Sequence, residues 1–126
     1  MQNLQVLETK FITDALEAIT KAKRTLKNTY IFGYYMKDTE LKELFEHSQG
    51  ILEYNTESLH KLLIDENLNL LIEIEETELF MKSFQHFKDM VNKKTDIINK
   101  YRESLIEEIE NKYIGDLDNY IINLKL

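Results

Sequence analysis

Three histidines, His47, His60 and His86, are the first residues to weigh for chemistry, and only His60 has a ligand's spacing. Glu57-Ser58-Leu59-His60 puts a carboxylate and an imidazole one helical turn apart on one face, as in four-helix di-iron proteins. Such a site needs a second Glu-x-x-His and two further inward carboxylates, and the chain holds no second Glu-x-x-His. A surface pair is therefore the expected reading, and a di-iron or other metalloenzyme ranks last among the functions considered. The chain has no cysteine, which removes a thiol nucleophile, a disulfide framework and a Cys-based zinc site within it. Neither a Ser/His/Asp order nor a glycine-rich phosphate loop is present. The sequence thus reads as non-enzymatic, with no metal and no cofactor expected in this chain.

Charge narrows the partners. The net charge is −7, and binding a polyphosphate backbone requires cations to displace its counterions. Lys21, Lys23, Arg24 and Lys27 form one basic patch, whose plain reading is a solvated helix face and whose sharper reading is a docking patch. Glu73, Glu75, Glu76 and Glu78 read as a solvated acidic run. Tyr30, Phe32, Tyr34 and Tyr35 place four rings in six positions. They cannot all face one core, so a packed aromatic corner or a partner surface is expected there. No apolar run approaches the roughly 20 residues of a membrane span, and the start of the chain lacks a signal peptide's basic and apolar regions. Neither a membrane nor a nucleic acid is expected as partner, and cytoplasm or nucleus is the expected location.

The elements that must carry these residues are helices. There is no proline and there are only three glycines in 126 residues, so little interrupts a helix. Leu4, Leu7, Phe11, Ala15, Ala18, Ala22, Leu26, Tyr30 and Gly33 step by three and four, predicting a helix over about residues 3–36. After the polar break Lys37-Asp38-Thr39, a second helix is predicted over about 39–65, with Leu41, Leu44, Phe45, Ser48, Leu52, Thr56, Leu59 and Leu63 along it. Residues 68–76 read either as a short strand, from the alternation of Leu70, Ile72 and Ile74, or as an irregular or helical connector. A third helix over about 77–113 carries Phe80, Phe84, Phe87, Val91, Lys94, Ile98, Tyr101, Leu105 and Ile109. Gly115 marks a kink or end, and Leu117, Tyr120, Ile121 and Leu124 form a last amphipathic turn or two. The fold class predicted is all-α: one domain over residues 1–126, an antiparallel bundle of three long helices with a short C-terminal helical extension.

Two blocks carry a resemblance beyond amphipathicity. Thr25-Leu26-Lys27-Asn28-Thr29-Tyr30-Ile31-Phe32-Gly33-Tyr34-Tyr35-Met36 resembles the aromatic helix of the Ariadne domain of RBR (RING-between-RING) E3 ubiquitin ligases, which reads Thr-Leu-x-x-Thr-Tyr-x-Phe-x-x-Tyr-Leu. Leu44-Phe45-Glu46-His47-Ser48-Gln49-Gly50-Ile51-Leu52-Glu53 resembles that family's next helix, and Thr56-Glu57, Leu59 and Leu63 continue the match. Tyr113-Ile114-Gly115-Asp116-Leu117 and Tyr120-Ile121 resemble its closing segment. Residues 11–64 carry the resemblance well and 87–121 weakly. The stretch between Ile64 and Phe87 is longer here than in the animal members, the family's leading helix is not recognisable, and the RING1, IBR and RING2 cysteines are absent. The chain accordingly reads as a domain excised from a larger ligase.

The resemblance implies a regulatory role. In that family ubiquitin passes from an E2 to a RING2 cysteine and then to substrate. The Ariadne domain folds back on RING2 and shields the cysteine until a neddylated cullin-RING ligase relieves the block. The implied partners are RING2 of the same ligase and the neddylated cullin-RING ligase, and zinc is implied only for the RING, IBR and RING2 domains of the parent. The family's inhibitory Phe-Glu pair falls on Phe45 and Glu46, and its later contacting Glu falls on Asn111, with Glu110 beside it. Against this stands the alternative of a generic helical adaptor or structural module unrelated to ubiquitin.

Overall fold

The computed structural model describes residues 2–36, 39–72 and 77–112. Three helices account for nearly all of them: α1 (Gln2–Tyr34), α2 (Thr39–Ile72) and α3 (Thr77–Lys112). The all-α bundle predicted from periodicity is the architecture observed. α1 closes on two tight turns, in which the Tyr35 N–H donates to Phe32 O (3.1 Å) and the Met36 N–H to Gly33 O (3.2 Å); such bonds satisfy carbonyls a helix end leaves open. α2 opens with Glu40 in its first turn, where a carboxylate meets the positive end of the helix dipole.

The contacts fix the topology. Gly33 lies under Phe45 and Thr29 bonds Gln49, so α1 and α2 run antiparallel. Ser48 bonds Glu108 and Lys94 bonds Ser58, so α2 and α3 are antiparallel too. Phe11 meets Phe84 and Phe87 edge-on, at 5.7 and 5.8 Å between ring centroids, while Arg102 bonds Thr25; α1 and α3 are thus parallel, in an up-down-up bundle.

Ala15, Ala18 and Ala22 line the centre of α1, and such small side chains let helix axes approach closely. Leu52 and Leu59 of α2 and Val91, Ile98, Leu105 and Ile109 of α3 close the core, each with at most 1% of its surface exposed; burial of that kind contributes roughly 1.5–3 kcal/mol per side chain. The buried threonines and Gln49 have partners, as burial demands. Thr56 and Thr95 donate to the carbonyls of Leu52 and Val91, and the Thr25 hydroxyl accepts from Arg102 Nε at 3.1 Å.

Several expectations are corrected. α2 runs to Ile72 rather than stopping near 65, and of the readings left open for Leu68–Ile72 the helical one is observed; residues 73–76, with most of the acidic run, lie outside the described residues. The α2 stripe is rotated by one residue at its start: Leu44 is half exposed, and Phe45 takes the core position. On α1 and α3, Tyr30 and Tyr101, both counted as core, are exposed, while Thr29, Phe32 and Thr95 are buried. Gly115 and the expected C-terminal extension lie outside the described residues. Among the described residues no helix is long and apolar enough to cross a membrane.

Candidate functional site

The sequence pointed to one end of the bundle, where the close of α1, the first turns of α2 and the last turns of α3 converge. Phe45 is the structural centre of that end. Its ring is wholly buried and lies 5.4 Å from the Phe32 ring, tilted by 59°. The ring also meets Gly33: a Cβ on that glycine would stand 3.0 Å from Phe45 Cε1. The expectation that Phe45 contacts an outside domain is corrected accordingly, because a ring with no exposed surface touches nothing beyond the bundle in this conformation.

Glu46 behaves differently. One position further round the helix, it points to solvent from a backbone that its neighbour pins in place. One turn on, Ser48 Oγ donates to Glu108 Oε2 at 3.0 Å, which sets the end of α3 level with the beginning of α2. Glu110, half buried, and Asn111, exposed, follow immediately. The structure therefore brings Glu46, Glu110 and Asn111 to one end of the molecule and withdraws Phe45 from its surface.

The four aromatic residues divide. Phe32 is buried against Phe45. Tyr34 and Tyr35 are exposed and pack edge-to-face on each other at 5.1 Å. Tyr30 reaches across to α2, where its hydroxyl donates to Glu53 Oε2 at 2.7 Å. Desolvation of the phenol first, then this bond and the nearby Glu53 and Glu57 charges, push the Tyr30 pKa up from 10.0 to about 12.

Two partnerships escaped the sequence reading. Gln49 Nε2 donates to Thr29 Oγ1 at 3.0 Å, and that hydroxyl donates in turn to Leu26 O at 2.8 Å, all inside the core. The signal was present, since polar residues standing on an apolar stripe usually have each other as partners. Gly33 is the other; only the ring opposite explains it. Glu57 and His60 both lie on the exposed face of α2, and no group of three or more His, Asp or Glu able to hold a metal occurs among the described residues. The Lys21, Lys23, Arg24 and Lys27 patch is exposed, with Lys21 paired to Glu17 at 3.0 Å.

The described residues thus form an all-helical platform that offers carboxylate and amide groups at one end. Comparison with known proteins makes this more specific. The chain is 31% identical to the probable E3 ubiquitin-protein ligase ARI7 of Arabidopsis thaliana over 95% of its own length and 22% of that protein's. It is 32% identical to the putative E3 ubiquitin-protein ligase ARI6 of the same plant over 92% of its length and 20% of that protein. To the human E3 ubiquitin-protein ligase ARIH1 it is 28% identical over 94% of its length and 19% of that protein. Over most of its own length the chain is thus similar to Ariadne-type E3 ubiquitin ligases, and it spans about a fifth of the length of the curated relatives it matches. No family model and no solved structure matches it.

Proposed function

We propose that this chain is the non-catalytic regulatory domain of an RBR-type E3 ubiquitin ligase, docking on RING2 and covering its catalytic cysteine until a neddylated cullin-RING ligase draws it away. The observation that carries the reading is Glu46, solvent-facing on a backbone fixed by the sealed Phe45 and level with Glu110 and Asn111. A preset carboxylate can accept a charge-assisted hydrogen bond from a histidine or other donor beside a thiol. Because Phe45 is spent inside the bundle, it acts as the footing and Glu46 as the contact. An interface made by one end of a bundle is small and polar, as a lid that must come off requires.

The test is ubiquitin discharge from E2 by a cysteine-bearing RING2 ligase core of the same source, with this chain added in trans. Discharge should slow with the unaltered chain and return towards the uninhibited rate with Glu46→Ala. Unchanged discharge on adding the chain, at concentrations that saturate any binding, would sink the proposal. Glu46→Ala should leave thermal unfolding nearly untouched, because an exposed side chain contributes within about 0.5 kcal/mol.

A further inference from the structure

The α1–α2 flank holds a second surface, about two turns along α2 from Glu46. A groove of about 470 Å³ runs between the helices there. Leu26 and Thr56 form its floor, and Ile31, 44% exposed, lines it. Its rims carry opposite charges: Lys23 and Lys27 on α1, Glu53 and Glu57 on α2. Each pair is spaced by four residues, so each forms a short row along its own helix. Among the described residues no ion pair joins the two rows. The Tyr30 hydroxyl bridges to Glu53 instead, leaving both lysines turned to solvent. The groove between α1 and α3 lacks this character: it is about 240 Å³ and lined chiefly by polar side chains such as Asp14, Asn92 and Asn99.

We propose that the α1–α2 groove docks an amphipathic helix of a partner protein, its apolar stripe flanked by one acidic and one basic edge. The described backbone is hydrogen-bonded within the three helices, so among the described residues there is no edge for an added strand, and recognition falls to side chains. A helix presents rows at the same four-residue spacing as the rims, its acidic edge facing Lys23 and Lys27 and its basic edge facing Glu53 and Glu57. A second copy of this chain is the poorer occupant, because two bodies of net charge −7 repel each other. The inference does not depend on RING2 docking, since Glu46 lies outside the groove.

The test titrates the full chain with three synthetic helical peptides that share one leucine stripe. One has a glutamate edge and a lysine edge, one has glutamates on both edges, and one has lysines on both. At physiological salt the mixed-edge peptide should bind most tightly and shift the amide resonances of Lys23, Lys27, Glu53 and Glu57. Ile31→Glu, at an exposed position, should weaken that binding about tenfold or more, which corresponds to about 1.4 kcal/mol or more. Lys23→Glu with Lys27→Glu should transfer the preference to the all-lysine peptide, with helical content unchanged. Glu46→Ala should change none of this. Equal binding of the all-lysine peptide to the unaltered chain would reduce the effect to bulk charge and overturn the proposal. So would absence of binding, or a concentration-dependent dimer that Ile31→Glu dissolves, which would give the face to a second copy.

Discussion

Thr29 and Tyr30 are neighbours on α1, and each has a hydrogen-bond partner on α2, Thr29 accepting and Tyr30 donating, yet they live in different solvents. The Thr29–Gln49 pair is buried; the Tyr30–Glu53 pair, one residue and one turn away, is exposed. The two glycines repeat the contrast. Gly33 faces the Phe45 ring, whereas nothing stands within 4 Å of a Cβ built on Gly50. One side of the α1–α2 pairing is therefore a sealed seam whose residues answer to each other, and the other is an open flank. A single helix pair can hold its fold on one side while keeping the other for partners, with only one residue's rotation separating the two.

The contrast can be broken from the sealed side first. Phe45→Ala should cost about 3–5 kcal/mol, the range for emptying a fully buried aromatic site, read as a drop in the urea midpoint. A loss under about 1 kcal/mol would mean the ring does not hold the seam. Gly33→Ala comes next. Alanine gains helix propensity, but its Cβ would press on a ring that is itself enclosed, and overpacking of that kind costs about 1–3 kcal/mol. A net loss of roughly 1 kcal/mol is expected, from two opposed terms. On the open side, Gly50→Ala meets no atom and should stabilise by about 0.5–1 kcal/mol, because alanine loses less backbone entropy in a helix. Equal signs at the two glycines would erase the distinction.

The smallest effect is the pH response of Tyr30. Its folded pKa of about 12 lies above the unfolded 10.0, so the native state holds this proton more tightly. The stabilisation is fully present below pH 10 and is lost as pH rises from 10 to about 12. The stability difference between the unaltered chain and Tyr30→Phe should therefore shrink over that interval. A difference that stays constant or grows would show that the phenol is not held by Glu53. Solvent screening keeps the effect modest, since Tyr30 is 48% exposed.

Helix content and bundle were legible because apolar residues recur at helical spacing over three long stretches with no proline to interrupt them. What periodicity could not settle was rotation. Leu44 and Phe45 are adjacent and both apolar, so either could have faced inward; the choice falls to Phe45 because Gly33, on another helix, leaves room for its ring. Tyr101, counted with the α3 stripe, is likewise turned outward, and its neighbour Arg102 reaches Thr25 on α1 instead. At the candidate site, a charged residue outside the stripe made Glu46 legible as a surface group. Its proximity to the end of α3 was not, because the link through Ser48 and Glu108 joins residues sixty positions apart. The fate of Leu68–Ile72 was equally hidden, since alternating apolar residues satisfy a strand pattern and a helix continuing from α2 alike.

The seam also works as a key. Sliding α2 along α1 by one turn, about 5.4 Å, would set Gln49 either against Gly33, which has no side-chain hydroxyl to receive its amide, or against Thr25, whose hydroxyl already serves Arg102. In the second case Phe45 would come to rest over Thr29, where a branched side chain fills the space that Gly33 leaves vacant. Each wrong alignment thus strands a polar group or wedges a ring, so two otherwise forgiving oily stripes mesh at a single setting, and that setting fixes how far along the molecule Glu46 stands.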